Sequence, residues 1–339
     1  MKANKSRSKT IINGIIIIIL VVAIYKYKAT FLSAFVQMKQ VALWQLLLAF
    51  LASMIYQVID GINVASLVKV HNPKFRFIDG VWCMLYTSFY RVISFGSAQA
   101  IATTYYLSKN DVSISKGTGI SAINYMLHKM MIAILCIIFF ILGYSSISNI
   151  YGGYFHYLIY SLILVFIVCM LFLLFCTSEK FHNLIAKGIQ KLNRNGKLDN
   201  FQTKMNEQMD EMRCSSIELL KDKKRIAWIC FYDIFKLLSW YVIPYIFLIN
   251  STGSSLFICL AIMSFVVAIA GVMVAPAGIG TLEFVFMLLF AGMASNDKLL
   301  LAILLYRFFA FVVPGLVGVI VVIVHKLFIY KNEHYINKV

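Results

Sequence analysis

The chain has 339 residues, of which 61% are hydrophobic and 13% charged, whereas a soluble domain is roughly half apolar and a quarter charged. The apolar residues come in blocks, several longer than the about 18 residues that read as a bilayer span, which excludes a soluble enzyme, a disulfide scaffold and a disordered regulator. Lys and Arg number 31 against 14 Asp and Glu, a net charge of +17; in a membrane protein such an excess belongs to cytoplasmic loops before it belongs to nucleic acid.

Residues 1–40 open with Lys2, Lys5, Arg7 and Lys9, followed by an apolar run over 11–25 that Lys26 and Lys28 close. No small-residue cleavage site follows closely, so the segment reads as a retained signal anchor with a cytoplasmic N-terminus. A first membrane half occupies 41–177. It holds an apolar block over 41–68 ending at Lys69, Lys74 and Arg76, and a block over 78–107 interrupted at Ser94-Phe95-Gly96-Ser97-Ala98. Two further spans, 120–143 and 154–176, are joined by an uncharged loop. The hydrophilic segment 178–225 carries 11 basic and 7 acidic residues and is assigned to the cytoplasm. A second half over 226–325 holds blocks at 226–249, 256–293 and 299–324, the middle one broken at Pro276-Ala277-Gly278-Ile279-Gly280. A basic cytoplasmic tail, 326–339, ends the chain with Lys326, Lys331 and Lys338.

Parity decides the topology. The segment 178–225 falls on the cytoplasmic side only if 78–107 turns back at its break, giving two arms of about 15 residues, each about 22 Å of helix and short of a ~30 Å hydrocarbon core. The same reasoning makes 256–296 a broken hairpin that enters from the other side. The expectation is an all-α polytopic membrane protein with about six full spans and two broken re-entrant helical hairpins in an inverted repeat, multi-pass in the cell membrane, with both termini cytoplasmic. Inverted repeats with broken helices at mid-membrane are a transporter signature, because unwound backbone is tolerated there only where it lines a cavity. Within 178–225, Phe181, Leu184, Ile185, Ile189 and Leu192, then Phe201, Met205, Met209 and Met212, recur at helical spacing. Such helices either lie on the anionic leaflet or pair as a hairpin on the protein.

The seven cysteines, Cys83, Cys136, Cys169, Cys176, Cys214, Cys230 and Cys259, form no CxxC and mostly sit in apolar blocks as small hydrophobes. Neither a metal site nor an oxidised framework is indicated, and no cofactor is expected. Ionisable residues inside a bilayer are costly and are functional candidates by default: Asp60, Arg91, Lys129, Asp233, Lys236, Glu283 and Arg307, with His128 beside Lys129. Asp233 and Lys236 are three apart and read as a structural pair. Glu283 falls in the first turn of a helix after Gly280, where a carboxylate suits the positive helix end; Gly278 and Gly280 leave N–H groups open beside it for an anion. Arg307 offers a bidentate phosphate grip or a partner for Glu283, and Arg91 the same grip or a side chain snorkelling to the interface. His128 shares a helix face with Asn124, and Gln99, just past the first break, is the uncharged counterpart of Glu283. Enzymatic templates fail: there is no GxSxG, Walker A or HExxH, and the longest soluble stretch has 48 residues.

Two runs of residues resemble a known family. The first is Ile93-Ser94-Phe95-Gly96-Ser97-Ala98-Gln99-Ala100 with Tyr105-Tyr106-Leu107 and the later Lys116-Gly117-Thr118. The second is Ala275-Pro276-Ala277-Gly278-Ile279-Gly280-Thr281-Leu282-Glu283, followed by Leu305-Tyr306-Arg307 and Pro314-Gly315-Leu316-Val317-Gly318. Together they resemble the lysylphosphatidylglycerol synthase transmembrane family, the flippase-like domain of the multiple peptide resistance factor. The resemblance implies movement of an anionic or aminoacylated phospholipid such as lysylphosphatidylglycerol between leaflets, and with it resistance to cationic antimicrobial peptides. In fused relatives a separate soluble domain performs aminoacyl transfer, and no counterpart is expected in this chain. The implied site takes phosphate on Arg307 and on the amides around Pro276, Gly278 and Gly280, with Glu283 meeting a headgroup amine and Gln99, Arg91 and His128 lining the site. Implied partners are membrane phospholipids, a separate aminoacyltransferase or glycosyltransferase, and a second copy of the chain; nucleic acid is not among them. The alternative is an accessory membrane subunit of a lipid-modifying enzyme, acting through 178–225.

Overall fold

In the computed structural model the described residues are 41–336, without 153–154, 193–198, 250–254, 274–277 and 279. The signal-anchor segment therefore lies outside the described residues. Everything described is helix and short connection, as lipid demands of a backbone that must satisfy its own hydrogen bonds. The helices are α1 (Leu43–Val68), α2 (Phe77–Ile93), α3 (Gln99–Ser108), α4 (Ile114–Leu142), α5 (Tyr144–Tyr151) and α6 (Phe155–Thr177) in the first half. Then come α7 (Glu179–Leu192) and α8 (Asp199–Lys221), and in the second half α9 (Lys223–Leu248), α10 (Leu256–Val272), α11 (Thr281–Leu289), α12 (Asn296–Arg307) and α13 (Val313–Ile336). A π-helical turn, Phe308–Val312, joins α12 to α13. Side-chain oxygens of Ser113, Asp222 and Ser255 accept the amides of Lys116, Arg225 and Ile258 and start α4, α9 and α10.

Five helical stretches are long and apolar enough to cross a membrane: Leu43–Val68, Ile114–Leu142, Leu158–Thr177, Lys223–Leu248 and Asn296–Val324. They coincide with five of the six spans expected from the sequence. The two broken blocks are hairpins. Arms α2 and α3 have 17 and 10 residues, about 26 and 15 Å of helix, both short of the ~30 Å core. Their outer ends meet: Asn72 before α2 donates to the carbonyl of Asn110 after α3 at 3.1 Å. The turn between them takes Phe95 and Gly96 to positive φ (52° and 90°). Arms α10 and α11 likewise return to one end of the molecule, where Phe257 packs on Phe139 (5.6 Å) and Tyr151 Oη donates to the Leu289 carbonyl at 2.6 Å.

Span, hairpin and span thus occur twice, as α1, α2/α3, α4 and as α9, α10/α11, α12–α13. Between the halves α1 packs on α9, α2 on α13 and α4 on α10, a pairing that exchanging the halves leaves unchanged. The equivalent helices α1 and α9 run antiparallel: Gln45 reaches the Ile246 carbonyl at one end, Asp60 meets Lys236 in the middle, and Arg225 reaches the Ser66 carbonyl at the other. Equivalent elements running in opposite directions make the repeat an inverted one. Among the described residues Lys69, Lys74, Arg76, Lys109, Lys116, Lys223 and Arg225 gather at one end, near the Asn72–Asn110 and Ser66–Arg225 contacts.

The hydrophilic segment is a helical pair. α8 docks along α4, burying Met209, Met212 and Leu219, and Ser215 fills the notch above Gly119. Of the two readings the sequence left open, packing on the protein is the one α8 adopts. α7 keeps Leu184 exposed.

Candidate functional site

The two helix breaks come together. A cavity of about 830 Å³ lies between them, lined from the first break by the residues 94–97 and Gln99, and from the second by Met273, Gly278 and Leu282. A side chamber of about 490 Å³ shares Arg91, Gln99, His128 and Lys129 with it and extends to Asp60 and Asn124. Unwound backbone in a membrane domain is stable where it faces such a space, and the hairpins place both breaks on this one.

Arg91, the third residue from the end of α2, points inward rather than toward an interface. It donates to the Ala310 carbonyl at 3.1 Å, and its guanidinium carbon lies 5.2 Å from the Phe311 ring and 5.8 Å from that of Trp240. The π-helical turn explains the acceptor. Its wider winding displaces carbonyls from their α-helical partners, and Phe309 and Ala310 offer theirs to Ser53 and Arg91. Arg91 Nε is buried with no hydrogen-bond partner among the described residues. His128 sits one helical turn after Asn124 on the cavity face of α4, its ring edge against Tyr56 (6.2 Å), which in turn stacks on Trp240 at 3.7 Å. Its Nδ1 is also buried without a partner among the described residues. Gln99 opens α3 and borders both chambers.

At the second break Arg307 and Glu283 bind each other. Arg307 Nε reaches Glu283 Oε1 at 2.7 Å and its Nη2 reaches Oε2 at 3.0 Å, a two-point contact, and Nη2 also donates to the Gly278 carbonyl. Glu283 Oε2 accepts the Gly280 amide at 2.8 Å, closing the first turn of α11. Gly278 and Gly280 stand at φ 64° and 81°, a region that favours glycine. The groups read from the sequence as grips for phosphate and amine are therefore engaged with one another, with Arg307 and Gly278 still on the cavity wall. Pro276 lies outside the described residues.

Sequence reasoning counted Lys129 among the intramembrane charges without placing it in the site; it borders both chambers, its ammonium 5.4 Å from the Tyr125 ring. Its signal was its charge within an apolar span, beside His128. Trp240 and Tyr125 complete the wall and carried no signal beyond their aromatic type. Asp233 and Lys236 pair as expected, but a third member, Asp60 of α1, joins them at 3.1 Å from the ammonium.

Three cations, Arg91, Lys129 and Arg307, thus line a cavity whose carboxylate neighbours among the described residues are Glu283, paired with Arg307, and Asp60, paired with Lys236. Chemically this suits an anion with an apolar remainder. Among the described residues no group of three or more His, Cys, Asp or Glu could hold a metal ion. The family model described as "Lysylphosphatidylglycerol synthase TM region" matches residues 11–318 of the chain. No curated protein matches it.

Proposed function

The chain belongs to the lysylphosphatidylglycerol synthase transmembrane-region family, and on that premise we propose that it moves an anionic or aminoacylated phospholipid, such as lysylphosphatidylglycerol, between the leaflets of the membrane. One observation carries the reading: both helix breaks of an inverted repeat face a single cavity whose walls hold Arg91 and Lys129 beside unwound backbone. The lipid phosphate sits against these two cations, whose hydrogen bonds to it are charge-assisted. The Arg307–Glu283 pair is the internal counter-ion system of the second break. A zwitterionic headgroup exchanges with it, phosphate to Arg307 and amine to Glu283, so that no charge is left bare during passage. The basic end of the molecule faces the cytoplasm, as the distribution of Lys and Arg in membrane-protein loops favours.

The test is leaflet exchange of fluorescent phosphatidylglycerol and lysylphosphatidylglycerol in proteoliposomes. Arg91→Gln and Lys129→Gln each remove a contact worth about 1.5–3 kcal/mol, so exchange slows by roughly tenfold or more. Wild-type exchange that both variants leave unchanged would sink the assigned site. An accessory role draws support from α7, whose Leu184 is 67% exposed and available to a partner; it predicts no exchange by the wild type, and loss of an associated enzyme when α7 is removed.

A further inference from the structure

The crossing of α1 and α9 encloses a cluster that the cavity's lipid chemistry does not use. Lys236 Nζ is fully buried, 2.5 Å from Asp233 and 3.1 Å from Asp60. Asp60 also accepts Asn124 Nδ2 at 3.3 Å, and Asp233 accepts Asn63 Nδ2 at 2.6 Å. Two carboxylates with one ammonium leave one negative charge in excess in a place where charge is expensive. Hydrogen-bond acceptors are in excess as well: Asp233 Oδ2, Asn63 Oδ1 and Asn124 Oδ1 are all buried with no partner among the described residues. One added proton reduces both imbalances, cancelling the charge and supplying a donor.

We propose that Asp60, Asp233 and Lys236 form a proton-binding site, and that its proton exchanges with the cavity through Asp60. The O–H bond forms on a carboxylate oxygen of Asp60 or Asp233, and the proton leaves by the same route. Of the three ionisable members, Asp60 alone lies on the chamber wall. The ionisable groups that face the cluster are Tyr56 on α1, Cys83 and Arg91 on α2, His128 and Lys129 on α4, and Cys230 on α9. Of these, Arg91 and Lys129 are the cations to which the proposed function assigns the lipid phosphate, and the coupling that follows rests on that reading. While they face an unoccupied cavity their field offsets the excess charge of the cluster. A bound phosphate neutralises them, and proton uptake becomes more favourable. Linkage makes the effect reciprocal, so that anion and proton promote each other's binding.

The site is tested on the detergent-solubilised full chain by infrared difference spectroscopy across a pH series. The wild type is expected to show a protonated-carboxyl band that shifts on deuteration. The band is absent from Asp233→Asn and from Asp60→Asn, since either leaves one carboxylate per ammonium, and persists in Glu283→Gln. A wild type without the band overturns the proposal whatever the variants do, as does a band that survives in Asp233→Asn or Asp60→Asn. For the coupling, vesicles of phosphatidylglycerol should raise the midpoint of the band relative to phosphatidylcholine; equal midpoints overturn it. In proteoliposomes one coupled proton changes phosphatidylglycerol exchange by up to about tenfold per pH unit of gradient, a response that Asp233→Asn loses. Absence of any lipid exchange defeats the translocase reading while the infrared result still decides the proton site.

Discussion

Glu283 occupies the third position of α11, near enough to its own helix start to accept the Gly280 amide and near enough to α12 to meet Arg307 at two points. Its removal takes the carboxylate from the guanidinium, which keeps its contact with the Gly278 carbonyl. Breaking a fully buried pair costs about 3–5 kcal/mol. Here 31% of the Glu283 side chain remains exposed, so Glu283→Gln is expected to cost less, about 1–2 kcal/mol, read as a lower melting temperature in detergent. Arg307→Lys should cost as much, although it keeps the charge, because an ammonium cannot span both carboxylate oxygens in one plane. Equal melting temperatures for Arg307→Lys and wild type would show that the two-point geometry carries no stability. Both residues were legible in the sequence as intramembrane charges. Their mutual engagement was legible only as one of two readings, because a separation of 24 residues across two helices fixes no distance.

At the scale of elements, the hairpins were legible from the parity of the spans together with arms too short to cross a hydrocarbon core, and the arms have 17 and 10 residues in the first and 17 and 9 in the second. Which helix packs on which did not follow. The spans are apolar on every side, and a pattern without a polar face names no neighbour. Glycines mark the contacts instead. A Cβ on Gly61 would lie 2.5 Å from the Val81 Cα, and one on Gly80 would strike the Gly61 carbonyl, so α1 and α2 touch backbone to backbone. α13 meets α2 in the same manner, Gly315 against Val92 at 2.5 Å and Gly318 against the Leu85 carbonyl. Without water to drive apolar burial, close approach of small residues is a main source of helix affinity in lipid. Gly318→Leu should therefore destabilise the protein by about 1–3 kcal/mol, the usual range for overpacking. Gly188 of α7 has nothing within 4 Å of a built Cβ, and Gly188→Ala should be neutral or stabilising by up to about 1 kcal/mol through helix propensity. Thermal unfolding of the two variants side by side checks the contrast, and a tolerated Gly318→Leu would mean that the α2–α13 contact yields.

At the scale of the whole molecule, the basic excess of the described loops takes on a spatial meaning. The inverted repeat sends α1 and α9 past each other in opposite directions, and both hairpins turn back to the end from which they came. The loops at 69–76, 109–113 and 222–225 consequently share one end and bring the Lys and Arg of distant segments together. At the other end α5 presents Ser145, Ser146 and Asn149 without a charged residue. Such asymmetry fixes orientation in a membrane, because basic loops resist translocation while uncharged ones pass. Lys74 and Ser146 are both exposed and lie at opposite ends, so single cysteines there report the two faces once the exposed Cys214 is replaced by Ser. In intact cells an impermeant maleimide should label Ser146→Cys at once and Lys74→Cys only after the membrane is opened. The reverse pattern would turn the molecule over. It would also put the basic end outside, and with it the segment 178–225 that the parity of spans assigns to the cytoplasm.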